Sequence, residues 1–409
     1  MPQIDGDRVL RDLRHLRSIG AYKTGVHRPA LTKEHVASLH WLKGELDALG
    51  HETVIDGIGN VLGKASGSGK RLLGGSHLES QNHAGWLDGP LGVIYALEAA
   101  RAVKADAALS KASAGVDVAA WCDEEGHFGH FLGSRSATGK VTEADIDAAV
   151  DRTHGKPMRT ALAEAGLAGR PRVTVDPSRY VGFLEAHIEQ GDWLEAHKLR
   201  IGVVTAIVGS RNFRITFEGT QNHAGTTRMA IRRDAGVACA RLVMAIDRLF
   251  PSLCGPRTVW TTGRITLYPG DPSIIPGRAE MLFQFRDTDL ATLERLESAL
   301  HNLVADADRD GPCRVSLEQV RKGVPAAMAE SFQNAVEGAA EALQPGCHTR
   351  MPSGAGHDAQ VLSAVMPAGM MFVPSIGGIS HHWTENTSDD DIVFGARVYA
   401  DAVGRLLSG

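Results

Sequence analysis

The stretch LLGGSHLESQNHAGWLDGPLGVIYALEAARAV, residues 72–103, carries the fold in miniature. It opens as a short apolar run that turns polar at Ser76, His77 and Glu79, the pattern of a buried strand leaving a sheet. Pro90 then opens an apolar segment running to about Val103. Proline suits the first helical turn, where its missing N–H has no partner to lose. The pattern returns at AGVDVAAWCDEEG, residues 114–126, where an apolar run ends in Asp123, Glu124 and Glu125. Upstream, residues 34–49 read as an amphipathic helix with a stop at Gly50. TVIDGIGNVLGK, residues 53–64, reads as two short strands around Asp56-Gly57. Strands alternating with helices predict an α/β fold with a mainly parallel sheet flanked by helices. Polar clusters just past strand ends are where such sheets bind ligands.

The texture changes after about Ile207. In RNFRITFEG, residues 211–219, Phe213, Ile215 and Phe217 alternate with polar residues, as in a half-exposed strand. A helix over roughly 234–249, strands in RTVWTTGRITL and RAEMLFQFR, a helix over about 290–306 and a strand in CRVSLEQV follow. This predicts a small α+β sandwich, a four-stranded antiparallel sheet with two helices on one face. After Gly323 the α/β texture returns and ends in the long helix DDDIVFGARVYADAVGRLL. The expected organisation is one α/β domain, residues 1–207 and 322–409, interrupted by an inserted domain at 208–321.

The bulk properties narrow the function. The 409 residues suit two domains. A net charge of −5 and no basic block argue against nucleic acid as a partner. No long uncharged apolar run suggests a membrane span. The five cysteines are scattered without CxxC spacing, which suits reduced thiols better than a disulfide frame. The stretch MPQIDGDRVLRDLRHLRSIG has no apolar core of signal-peptide length, so a cytoplasmic protein is expected.

The chemistry lies at the polar strand ends: His77, Glu79 and Asp88, then Asp123, Glu124 and Glu125, then His187 and His381. Imidazole with carboxylate is a common ligand set for zinc and related divalent ions. Two ions need a carboxylate able to bridge them, and a further carboxylate to act as general base. The adjacent pair Glu124-Glu125 can supply one ligand and one base. Taken singly, each histidine reads equally as a hydrogen-bonded structural residue, and DEE as a solvated face. Their common position after apolar strands favours a site.

The motifs GSHLESQNHAGWLDGPLG, CDEEGHFGHFLGSR, LEAHIEQG, NHAGTTRM, MPSGAGHDA and GISHHWTE occur in that order along the chain. Together they resemble the di-metal amidohydrolases related to aminoacylases and zinc exopeptidases. Within these, the match is to the branch of N-carbamoyl-L-amino-acid hydrolases, β-ureidopropionases and allantoate amidohydrolases. The resemblance implies that His77 and His187 hold one metal, Glu125 and His381 the other, and that Asp88 bridges them. Two divalent ions per chain, from zinc, manganese, cobalt and nickel, are implied. Glu124 is implied as general base and His223, on the insert, as donor to the developing oxyanion. Gln190, Arg286 and His357 match positions lining the substrate pocket, where an arginine suits a carboxylate. The implied activity is hydrolysis of a linear amide or ureido C–N bond in a small carboxylated substrate such as an N-carbamoyl-L-amino acid. The implied assembly is a homodimer through the insert, which also acts as a lid.

Three positions depart from the family pattern. Glu79 stands where the family has an aspartate that orients the ligand histidine from behind. Ser273 stands where an asparagine assists the substrate carboxylate. Arg228 adds a cation near His223. These leave the exact substrate open. The alternative activity is a deacylase or dipeptidase on the same metals, and the alternative of another class is a catalytically silent binding protein, against which an intact Glu124 and a full ligand set argue. The segment 63–71 lacks the glycine and Ser/Thr of a phosphate loop, and no GxSxG supports a serine nucleophile. The pentapeptide QNHAG occurs twice, at 81–85 and 221–225, with unrelated flanks. His83 of the first copy matches no ligand position.

Overall fold

The computed structural model describes residues 2–408. The strands of the two main sheets, in chain order, are β1 (Glu52–Ile55), β2 (Val61–Lys64), β3 (Arg71–His77), β4 (Gly115–Trp121), β5 (Tyr180–Ile188), β6 (Ile201–Ile207), β7 (Gly209–Glu218), β8 (Val259–Tyr268), β9 (Arg278–Asp287), β10 (Arg314–Lys322), β11 (Ala326–Ala327), β12 (His348–Ser353) and β13 (Ala368–Val373). The principal helices are α1 (Gly6–Ser18), α2 (Lys33–Leu49), α3 (Pro90–Ala105), α4 (Ala235–Leu249), α5 (Leu290–Asp310), α6 (Glu330–Leu343) and α7 (Asp389–Ser408).

One compact unit comprises the chain up to Thr205 and from Ala327 onward; the other is Ala206–Ala326. The crossings fall two and five residues from the positions 207/208 and 321/322 expected above. The first lies inside the unbroken strand β6, where no turn residue marks a boundary in the sequence.

The first unit is built on a sheet ordered β11–β6–β13–β5–β3–β4–β2–β1, with β12 also pairing with β6. Its centre, β13–β5–β3–β4, is parallel throughout, and the β1–β2–β4 flank is antiparallel. Strands β3 and β4 are buried at every residue, as expected of central strands covered on both faces. Helix α3 is buried around nearly its whole circumference, because it lies between β3 and β4 on one side and α1 and α7 on the other. Thr32 caps α2 by accepting from the His35 amide at 3.3 Å, and Gly50 ends it in the left-handed conformation.

The second unit is a four-stranded antiparallel sheet ordered β8–β9–β7–β10. Phe213, Ile215 and Phe217 of β7 are buried with Met281, Phe283 and Phe285 of β9 against Leu242 and Ile246 of α4 and Leu293, Leu296 and Leu300 of α5. The strict alternation in β7 is the imprint of one face on helices and one outside. The five cysteines are all free thiols, and four of them are buried.

Candidate metal centre and catalytic residues

The polar ends of four neighbouring parallel strands, or the loops that follow them, carry the site. His77 is the last residue of β3 and sits opposite Trp121 of β4, which leads into Asp123, Glu124 and Glu125. His187 lies near the end of β5 opposite Phe372 of β13, whose strand leads to the loop of His381. Asp88 completes the cluster from the loop between β3 and α3. The next residue, Gly89, has φ of 87°, and a Cβ there would stand 2.4 Å from the His77 ring. Only glycine lets the chain turn into α3 so close to that imidazole.

Asp88 lies between two groups of donors. Its Oδ1 is 3.0 Å from Nε2 of His187 and 3.7 Å from Nε2 of His77. Its Oδ2 is 3.2 Å from Nε2 of His381, which is in turn 3.8 Å from Oε2 of Glu125. Two sets therefore have donor atoms close enough to hold an ion: His77, Asp88 and His187, and Asp88, Glu125 and His381. The rear nitrogens of two histidines are engaged with backbone carbonyls. His77 Nδ1 is 3.0 Å from the Glu79 carbonyl, and His187 Nδ1 is 2.9 Å from the Ile188 carbonyl. A proton held there leaves each Nε2 with a lone pair facing the cluster, the tautomer a metal requires. Oε1 of Glu125 and Oε1 of Gln190 are buried without a hydrogen-bond partner. The donor set thus fits divalent cations.

The electrostatics point the same way. Burial, then the charges of Glu125, Asp358, Asp88 and Glu185, pushes the Glu124 carboxyl well above the usual range. Burial followed by Asp88 lifts Glu125 to about 7, and burial also lifts Glu185 to about 7. Burial opposes charge on His187, yet the hydrogen bond and charge of Asp88 raise it to about 9. The Asp88 hydrogen bond raises His381 to about 9. So many carboxyl groups withdrawn from water repel one another, and a cation among them relieves that repulsion.

Glu124 sits over the first donor set, with Oε2 3.8 Å from His77 Nε2. Its backbone is fixed by its neighbours. Glu79 Oε1 accepts from the Glu124 amide at 2.6 Å. Asp123 takes a left-handed φ of 62° and its carboxylate accepts from the amides of His127, Phe128 and Gly129. Those three bonds hold a turn that costs an L residue on the order of 1 kcal/mol, and the turn aims Glu124 and Glu125 inward. Glu79 therefore differs from its expected part. It meets the His77 ring through its main-chain carbonyl, while the carboxylate is 3.8 Å from His77 Nδ1 and holds the loop of Glu124 instead. The extra methylene of glutamate carries the carboxylate past the imidazole.

Gln190 is half-buried beside the cluster. Its Nε2 donates to Asp88 Oδ2 at 3.1 Å and lies 3.3 Å from Ser380 Oγ. His357 is buried with its ring 4.6 Å from that of His187 and its Nε2 2.9 Å from Ser353 Oγ.

In the second unit, His223 and Ser273 come together. The short strands Asn222–His223 and Ile274–Ile275 pair, and the Ala224 amide donates to the Ser273 carbonyl at 2.9 Å. The Ser273 hydroxyl donates to Asp271. His223 is exposed, and its Nδ1 accepts from the amides of Gly225 and Thr226 at 3.0 and 3.2 Å. The neutral ring must therefore carry its proton on Nε2, as a donor. Arg232 donates to the carbonyls of Thr227 and Ala224 and so braces this loop. Arg286 lies on β9 between Val259 and Ser210, its Nε 3.2 Å from Gln284 Oε1. Arg228 is exposed at the start of the turn Met229–Ile231.

Sequence reading missed several contributors. Glu185 accepts from Ser76 Oγ at 2.7 Å and from the Ala359 amide at 2.8 Å. It stands two residues before His187, so strand alternation already placed it on the same face. Glu385 accepts from the amides of Leu87 and Asp88 and from Ser380. A Cβ on Gly85 would overlap its carboxylate at 1.9 Å, which explains the last letter of the first QNHAG. His83 packs elsewhere, its ring stacked 4.3 Å from that of His27 and tilted against Tyr22 at 4.2 Å.

The chain is similar to known hydrolases along most of its length. The model of peptidase family M20/M25/M40 matches residues 72–405. The chain is 32% identical to an N-carbamoyl-L-amino-acid amidohydrolase of Paenarthrobacter aurescens, over 97% of each chain. It is also 32% identical to an allantoate amidohydrolase of Bacillus subtilis (strain 168), over 93% of each. The crystal structure of an amidase of the hydantoinase/carbamoylase family from Burkholderia phymatum superposes with a TM-score of 0.91 at 45% identity, covering 100% of this chain and 99% of that one. With most of its length matched and such relatives alongside, the chain belongs to peptidase family M20/M25/M40 and is a hydrolytic enzyme.

Proposed function

We propose that this enzyme is a metal-dependent amidohydrolase that cleaves the linear C–N bond of a ureido or amide group. The substrate class we assign is an N-carbamoyl-L-amino acid or related small ureido acid. The observation that carries the proposal is Asp88, whose two oxygens face two separate imidazole sets with the carboxyl of Glu124 at their edge. His77 and His187 would hold one divalent ion and Glu125 and His381 the other, with Asp88 shared. Ions bound there would polarise the scissile carbonyl and lower the pKa of a water.

The chain's own residues do the rest. Glu124 takes the proton of the attacking water on its carboxylate and returns it to the leaving nitrogen. Its raised proton affinity suits both halves of that cycle. His223 donates its Nε2–H to the oxyanion that develops as water adds to the carbonyl. Arg286 takes the substrate carboxylate, Ser273 and His357 border the substrate, and Gln190 holds Asp88 in place by its side-chain amide.

The insert is proposed as lid and dimerisation domain, joining two copies of the chain. Val259, Ile265, Leu267 and Tyr268 are exposed on β8, at one edge of the insert sheet, and exposed apolar edge strands pair readily. No described helix is long and apolar enough to cross a membrane. The cytoplasm is the proposed compartment.

A substrate panel tests the assignment. N-carbamoyl, other ureido and N-acyl amino acids are incubated with Mn²⁺, Co²⁺, Ni²⁺ or Zn²⁺, and products are assayed. Ammonia released from ureido substrates is the expected result. Free acid from N-acyl substrates without any ammonia would make the enzyme a deacylase and overturn it.

A further inference from the structure

The two QNHAG copies use different letters. In the second copy the histidine points outward as a donor. In the first, the histidine is set aside and Gln81 reaches the metal centre. Gln81 Nε2 is 2.6 Å from Glu125 Oε2 and 3.2 Å from the Glu125 carbonyl. Its Oε1 accepts from Nη2 of Arg152, and Nη1 of the same guanidinium donates to the Glu125 carbonyl at 3.2 Å. The arrangement has one sense only. A guanidinium has no acceptor, so it must face the amide oxygen, and the amide N–H groups must face Glu125. One carboxylate oxygen of Glu125 is thereby tied down, while the other is buried without a partner.

We propose that Gln81, oriented by Arg152, is a positioning residue that fixes the Glu125 carboxylate as a ligand of the ion it shares with Asp88 and His381. The proposal rests on the metal assignment above. A ligand that must be ordered at the moment of binding weakens the site. Partners behind metal ligands typically contribute 10–100-fold in affinity. The clamp acts on one ion site only, because His77 and His187 are braced separately by backbone carbonyls.

The test is a titration of metal-stripped full-length enzyme with Mn²⁺, followed calorimetrically, with kcat and melting temperature measured in parallel. Wild type is expected to bind in two steps. Gln81→Leu should weaken one step by about 10–100-fold, leave the other unchanged, and recover most of its kcat at saturating Mn²⁺. Arg152→Leu should shift the same step by less, since the amide remains but can turn over. His83→Ala, in the same loop, should leave both steps and kcat unchanged. Two steps retained within twofold in Gln81→Leu would overturn the proposal. So would a parallel weakening of both steps with a fallen melting temperature, which marks a folding role. Wild-type enzyme that binds no Mn²⁺ at all would overturn the metal assignment and the clamp with it.

Discussion

At the scale of single residues, the decisive feature is how firmly buried polar groups are tied to one another. His35 illustrates it. Its Nδ1 accepts from the Leu31 amide at 3.1 Å, so the neutral ring points its N–H toward Glu79, whose Oε2 lies 3.5 Å away. The other oxygen of Glu79 holds the amide of Glu124. Burial, with Arg28, His127 and His77 nearby, pushes His35 down to about 3. The folded value lies below the unfolded 6.5, so the unfolded chain takes the proton first as pH falls. Stability is therefore complete above about pH 6.5 and is lost progressively toward pH 3. At pH 5.5 the loss from this residue is roughly 1.4 kcal/mol. Urea unfolding of metal-stripped wild type and His35→Gln at pH 8 and 5.5 isolates this residue: the change in stability between the two pH values should differ between the proteins by about 1.4 kcal/mol. Equal slopes in the two proteins would show that His35 is not held neutral.

Which residues mattered was legible in the sequence largely where a strand ends. His77, Glu124, Glu125 and His187 all follow apolar runs, and burial of a run tells where its polar end is directed. What each did was less legible. Glu79 and Gln190 were placed near the centre, but side-chain length and torsion decide which neighbour a carboxylate or amide reaches. Gln81 and Arg152 come from segments 71 residues apart, and no local pattern announces that pairing.

At the scale of elements, the period of the apolar pattern carried the fold. Full burial of β3 and β4 and alternation in β7 separate a covered parallel sheet from a half-covered antiparallel one. The crossing inside β6 was not legible to the residue, because the chain passes between units without leaving strand geometry. Strand β8 bears on assembly. Its exposed Val259 and Ile265 are proposed to meet a second copy. The double variant Val259→Lys with Ile265→Lys should shift the protein from dimer to monomer in analytical ultracentrifugation, with the melting temperature of the first unit unchanged. A wild-type monomer at tens of micromolar would contradict the proposed dimer.

At the scale of the whole molecule, side chains from positions as far apart in sequence as His77 and His381 converge on one carboxylate, Asp88. The sheet order makes this possible, since β4, β3, β5 and β13 are neighbours and parallel, and their polar ends share one edge. These donors are proposed to hold metal while Glu124 moves the proton. The measurement that tests it most directly is metal content and turnover of Glu124→Gln beside wild type. About two divalent ions per chain are expected in both proteins by elemental analysis, with turnover in the variant lower by roughly 100-fold or more. A variant that keeps its metal and also its turnover would contradict the assigned base, and a wild-type enzyme active without metal would contradict the centre itself.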